Sequence, residues 1–216
     1  MSFVSKIKQL AIATSLLLAT TAVFAQQRED ALVLYRQGNF ARAIKVCEQE
    51  LVTNANDSKK LIDSYCVLCW SLIRNKQYAE AEQRANEARR INANEIRIIE
   101  ALGEARFYQG KNNPALEMFQ LYVANAPMSA SDYGWSYYYM GEIYVRQDRF
   151  EHADIAYSMA VHIDPQKALF WTRCGYAREM AKSYQSALEA YTKALSLDAS
   201  QTDAARGRDR CQARLR

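Results

Sequence analysis

From Gln26 onward, apolar residues recur at three- and four-residue steps in blocks of about a dozen, the signature of amphipathic helices. The stretch Gly134–Pro165 shows the pattern most fully. Tyr137, Met140, Gly141 and Tyr144 fall at i, i+3, i+4 and i+7, one apolar stripe of a first helix. Ala153, Tyr157 and Ala160 form the matching stripe of a second. Gln147-Asp148-Arg149 turns the chain between them, and Asp164-Pro165 ends the pair, because the residue before a proline disfavours helical backbone. Gly141 and Ala153 are small and are expected to face each other where the two helices approach most closely.

A single helical hairpin cannot bury its apolar faces alone, so copies are expected. The small residue of the second helix recurs as Ala43, Ala81, Ala115, Ala153 and Ala187, at intervals of 38, 34, 38 and 34 residues. Three positions earlier stand Phe40, Tyr78, Asn112, Phe150 and Tyr184. The small residue of the first helix recurs as Ala31, Cys69, Gly103, Gly141 and Gly175. The other turns are read at Gln37-Gly38-Asn39, Asn75-Lys76-Gln77, Gly110-Lys111-Asn112 and Ala181-Lys182-Ser183, with Pro114 opening the second helix of the third pair. Four-residue extensions near Asn56–Lys60 and Met128–Ser131 explain the two longer intervals as stretched loops. The first pair is the weakest, with Gln27, Asp30 and Glu50 at positions that are elsewhere core.

The sequence Tyr137-x2-Met140-Gly141-x2-Tyr144, then Ala153-x3-Tyr157, then Pro165, resembles the tetratricopeptide (TPR) pattern, a helix–turn–helix of 34 residues. The resemblance covers nearly everything after Ala25. It implies an all-α, right-handed α-solenoid of five TPR repeats over residues 26–199, closed by a C-terminal capping helix within 200–216. Thr202–Arg216 carries Arg206, Arg208, Arg210, Arg214 and Arg216 against Asp203 and Asp209, a polar composition suited to a solvated end helix.

The N-terminus adds a different expectation. Lys6 and Lys8 precede an uncharged, mostly apolar run, Leu10–Phe24, and Val23-Phe24-Ala25 places small residues one and three positions before a plausible cut. Residues 1–25 therefore read as a cleavable export signal, and the run is shorter than the ~20 residues of a spanning helix. The alternative is an uncleaved anchor. A TPR chain behind such a signal resembles bacterial periplasmic proteins, so the periplasm is the expected compartment. Removing Lys6 and Lys8 from the 28 basic residues leaves 26 against 24 acidic ones, a net +2, which points to no nucleic-acid partner.

Little in the chain suggests catalysis. The two histidines, His152 and His162, keep no metal-ligand spacing with a carboxylate or thiol, and no phosphate loop or nucleophile elbow is present. No enzyme activity, metal or cofactor is expected. Cys66-x2-Cys69 raises the alternative of a thiol-redox or disulfide-handling protein. Against it, the pair lies mid-helix, and Cys69 occupies the small inter-helix slot that glycine fills later, which favours packing.

The resemblance implies a concave face built from the first helices, able to hold a protein or peptide partner. Positions one after, three before and five after the small residue should line it. These give Trp70, Glu104 and Glu142; Cys66, Glu100, Tyr138 and Thr172; and Arg74, Tyr108 and Arg146, with Trp135 nearby. Trp, Tyr and Arg dominate binding hot spots, so Trp70, Arg74, Tyr108, Trp135, Tyr138 and Arg146 are the candidate partner-binding residues. The arginines are expected to meet carboxylates or backbone carbonyls of the ligand. A third alternative is a structural solenoid that self-associates end to end. Mass spectrometry of protein from its native host is expected to find Gln26 as the first residue; intact Met1 in a membrane fraction would instead establish an anchor.

Overall fold

A computed structural model describes residues 30–216; the expected export signal and its cut before Gln26 lie outside the described residues. The described chain is eleven helices and no strands: α1 (Ala31–Arg36), α2 (Phe40–Thr53), α3 (Ser58–Arg74), α4 (Tyr78–Ile91), α5 (Ile96–Tyr108), α6 (Asn112–Asn125), α7 (Tyr133–Arg146), α8 (Phe150–Ile163), α9 (Ala168–Met180), α10 (Tyr184–Leu197) and α11 (Thr202–Arg214). Each packs on its successor. First helices also touch across repeats, α1 on α3, α3 on α5, α5 on α7 and α9 on α11, whereas among the described residues no two second helices make a comparable contact. The stack therefore carries its first helices on the inner face and its second helices outside.

Every turn within a repeat uses one device. Its middle residue is left-handed: Gly38 (φ 78°), Lys76 (63°), Gly110 (74°), Asp148 (55°) and Lys182 (65°). The following N–H then donates back five residues, as in Asn39 to Leu34 (2.9 Å), Gln77 to Leu72 (2.8 Å) and Arg149 to Tyr144 (2.9 Å), closing the helix end as a Schellman turn. The left-handed residue corrects the third turn, which is Gln109-Gly110-Lys111; Asn112 is already helical and Pro114 is its third residue. The first extension is also not a loop. Ser58–Ile62 adds a turn to α3, making it 17 residues long, and the Asp57 carboxylate caps it by accepting from the Lys60 N–H at 3.1 Å. Only the second extension stretches a loop, the segment 126–132 between α6 and α7.

The core is organised by a pair of positions sixteen residues apart. A ring on the second helix lies over a glycine on the first: Phe119 over Gly103, Tyr157 over Gly141, Tyr191 over Gly175. The earlier repeats hold the same positions with Ala31 and Cys47, then Cys69 and Ala85, all buried. Where the second helix brings a ring, the first has no side chain. The atoms that crowd Gly141 most closely thus belong to Tyr157, not Ala153. Helix α11 continues the stack by burying Ala204, Gly207 and Cys211, with Gly207 against the other side of Tyr191.

A Cβ added at Gly141 would stand 2.5 Å from Cε1 of the fully buried Tyr157. Gly141→Ala is expected to cost ~1–3 kcal/mol in thermal or denaturant unfolding, and much less in a Tyr157→Leu background. An equal cost in both backgrounds would place the clash elsewhere.

Candidate functional site

Helix α5 is apolar around most of its circumference, burying Ile98, Ile99, Ala101, Leu102, Ala105 and Phe107 between its neighbours. Glu100 and Glu104 interrupt it one turn apart, so both carboxyls project from one side toward the inner face. On α7, Trp135, Tyr138, Tyr139, Glu142 and Arg146 recur at three- and four-residue steps and form the opposing wall. Between the two walls, and bounded by Arg74 of α3, lies a cavity of about 530 Å³ lined also by Phe107, Tyr108 and Asp132.

The cavity gathers Arg74, Tyr108, Trp135, Tyr138 and Arg146 from the six candidates. Trp70 is not among its lining. It borders a separate cavity of about 730 Å³ with Leu32, Val67 and Arg97, and its indole lies 6.0 Å from the Tyr35 ring. Cys66, Glu100 and Thr172, expected on the open face, are buried because adjacent first helices close over that position; only Tyr138 there stays half-exposed.

The two arginines are already engaged. Arg74 Nη1 donates to Glu104 Oε1 at 3.0 Å. Arg146 Nη1 donates to the Phe107 carbonyl at 3.0 Å and Asn112 Oδ1 at 3.3 Å, with its guanidinium 3.8 Å from the Phe107 ring centre. Both therefore act first as braces between repeats. Glu104 also accepts from the Tyr139 hydroxyl at 2.9 Å, and Glu142 accepts from Tyr157 at 2.6 Å and from Arg173 Nη2 at 2.9 Å.

Glu100 is 7% exposed. Burial, then the nearby Glu104 and Asp132 charges, push its carboxyl well above the ordinary range, against the pull of Arg74 and of the Trp70 side chain that hydrogen-bonds it. Glu104 is raised too, by burial first, although Arg74 and Tyr139 oppose the shift. The sequence signal for this acidic floor was the pair of glutamates inside an otherwise apolar helix, which only a buried role reconciles with the flanking Ile, Leu and Phe.

The thiols are sealed in. Cys66 and Cys69 are fully buried, and all five cysteines are unpaired. Burial drives the Cys66 thiol up to about 12 and the Cys69 thiol well above its usual value, so neither is a ready thiolate nucleophile. Among the described residues no group of His, Cys, Asp or Glu could hold a metal ion, and no helix is long and apolar enough to cross a membrane.

No family model matches the sequence, and no curated protein matches it. Solved structures do. MamA from Desulfovibrio magneticus RS-1 superposes with a TM-score of 0.67 at 20% identity, over 80% of this chain and 93% of that one. YrrB, described as a TPR protein with an unusual peptide-binding site, gives 0.66 at 16% identity over 88% and 97%. The first TPR of Spaghetti (RPAP3), bound to the HSP90 peptide SRMEEVD, gives 0.51 at 19% identity over 56% and 92%. The fold is that of a TPR solenoid.

A carboxyl that binds its proton more tightly in the folded chain contributes stability below its ordinary value of 4.5 and loses it as pH rises through the folded value. Glu100→Gln keeps an acceptor for Trp70 and removes that loss. In calorimetry the variant is expected to melt with the wild type at about pH 4 and above it at about pH 8. A variant that melts lower at the higher pH would show a stabilising carboxylate instead.

Proposed function

We propose that this TPR solenoid is an exported, non-catalytic scaffold or adaptor that holds an extended segment of a partner protein along its inner face. The observation that carries this reading is the cavity between α5 and α7, which exposes aromatic side chains in a concave, partly polar setting. Tyr108 is 41% exposed although it closes a helix that is otherwise core. Tyr138 and Trp135 stand opposite it on α7. Rigid rings with a polar edge bury area on binding at small entropic cost, which makes such groups the usual anchors of a recognised segment. Two solved structures of similar fold are described as bound to a peptide or as having a peptide-binding site, and this reading extends peptide binding to the present chain.

Export is supported by Lys6, Lys8, the Leu10–Phe24 run and Val23-Phe24-Ala25, and the bacterial envelope is the compartment the reading assigns. Five buried, unpaired thiols are compatible with an oxidising compartment, because burial keeps them from oxidants and from one another's attack.

A photo-crosslinking residue placed at Tyr108 of the full chain, expressed in its host, is expected to trap the partner, while the same residue at Ile155, 66% exposed on α8 outside, is not. Tyr108→Ala and Trp135→Ala are expected to weaken binding by about tenfold or more, with helical content retained, and Glu117→Lys on an outer helix to change little. Crosslinking from Ile155 with silence at Tyr108 would move the site to the outer surface.

A further inference from the structure

We propose that the cavity between α5 and α7 selects a cationic side chain, lysine or arginine, of the partner segment and seats it between Glu100 and Asp132. This deepens the reading of the inner face as a partner site and rests on it. Four carboxylates line the cavity, and two are already matched: Glu104 by Arg74 and Tyr139, Glu142 by Arg173 and Tyr157. Arg146 is held by the Phe107 carbonyl and Asn112 and cannot serve both its brace and the floor. Glu100, met by the Trp70 side chain, and Asp132 remain, and among the described residues neither makes an ion pair. Glu100 is 7% exposed, so water compensates it poorly.

Asp132 arrives by a separate route. It sits in the longer connection 126–132 and directly precedes α7, where the helix dipole favours its negative charge. Its side chain bonds no backbone N–H of α7; Ser131 Oγ donates to it at 3.0 Å. The cavity walls suit a cation as well. The Trp135 ring already has the Lys167 ammonium 5.4 Å from its centre, and Phe107 carries the Arg146 guanidinium. Aromatic faces attract such groups electrostatically, more strongly when the site is partly dry. An acidic segment, which free arginines would have favoured, meets instead two acids that no cation of the described chain pairs. Like charges brought together there are disfavoured by several-fold to many-fold in affinity.

The test pans a random dodecapeptide display library against the full chain and measures selected peptides by fluorescence anisotropy. Lysine or arginine enrichment is expected. Replacing the enriched lysine by norleucine should weaken binding by about tenfold or more, and Asp132→Asn or Glu100→Gln should produce a similar loss. The norleucine and protein changes combined should cost little more than either alone, since they remove one interaction. Circular dichroism melts establish that both variants fold. Peptides that lose affinity with Tyr108→Ala but show no basic enrichment, or show acidic enrichment, overturn the cation while leaving the partner groove standing. Failure to select any peptide sensitive to Tyr108→Ala overturns the groove and this inference together. Concentration-dependent sedimentation abolished by Asp132→Asn would identify a second copy of the chain as the occupant and overturn it as well.

Discussion

Two helices of a repeat can approach closely only if one of them gives up its side chain where the other presents a ring. Gly103, Gly141 and Gly175 do so beneath Phe119, Tyr157 and Tyr191, and each ring is buried to within 1% of full enclosure. A ring and a glycine exchange volume within the pair, so packing density is kept while the axis-to-axis distance stays short. The first two repeats meet the same constraint with middling residues on both sides, Ala31 with Cys47 and Cys69 with Ala85. This explains why a cysteine stands at Cys69: its sulfur points at the Ala81 carbonyl, 3.8 Å away, in a slot where volume rather than redox chemistry is what the fold requires.

The polar network follows from that slot. A tyrosine driven edge-on into a glycine gap carries its hydroxyl toward the inner face, where it needs a partner. Tyr157 donates to Glu142, and Tyr191 donates to Glu179 at 2.7 Å. Each carboxylate is then bonded from the next first helix, Glu142 by Arg173 and Glu179 by Arg210 at 2.6 and 2.8 Å. Burial raises the Glu179 carboxyl, but the bonds from Arg210 and Tyr191 outweigh it and hold the group below the ordinary range. In the third repeat the slot holds Phe119, which has no hydroxyl. Tyr139 stacks on it from α7, at 5.1 Å and 11°, and delivers the missing donor to Glu104. The same three groups, a phenol, a carboxylate and a guanidinium, thus tie successive repeats together from different sequence positions.

The sequence made the repeat register legible because it depends on local spacing, and local spacing is what periodicity reports. The five turns, four at the expected residues and one shifted by one, follow from the residue that takes a left-handed backbone. The added turn of α3 is not legible from periodicity, because Ser58-Lys59-Lys60 is polar and breaks the apolar period, although Asp57 is a readable cap. Five candidate side chains share a cavity: Trp135, Tyr138 and Arg146 because three- and four-residue steps put them on one face of α7, and Arg74 and Tyr108 because they hold equivalent places near the ends of α3 and α5. What those side chains touch was not legible. Arg74 and Glu104 are thirty residues apart, and their bond depends on how two repeats stack. Trp70 fell outside the cavity for a similar reason, since α1 brings Tyr35 against it from the preceding repeat.

The cavity opens where the stack departs from its own regularity. The loops before α3, α5, α9 and α11 are four residues long, whereas segment 126–132 before α7 has seven. Here α7 packs less extensively on α5 than α5 does on α3, and long side chains span much of the space between them. Tyr139 and Arg146 reach across it; Glu100 faces it from the floor without an ion pair. The longer connection ends in the second acid, Asp132, which lines the same opening as the buried Glu100, so a departure in loop length and a pair of acids without an ion pair meet at one place in the stack.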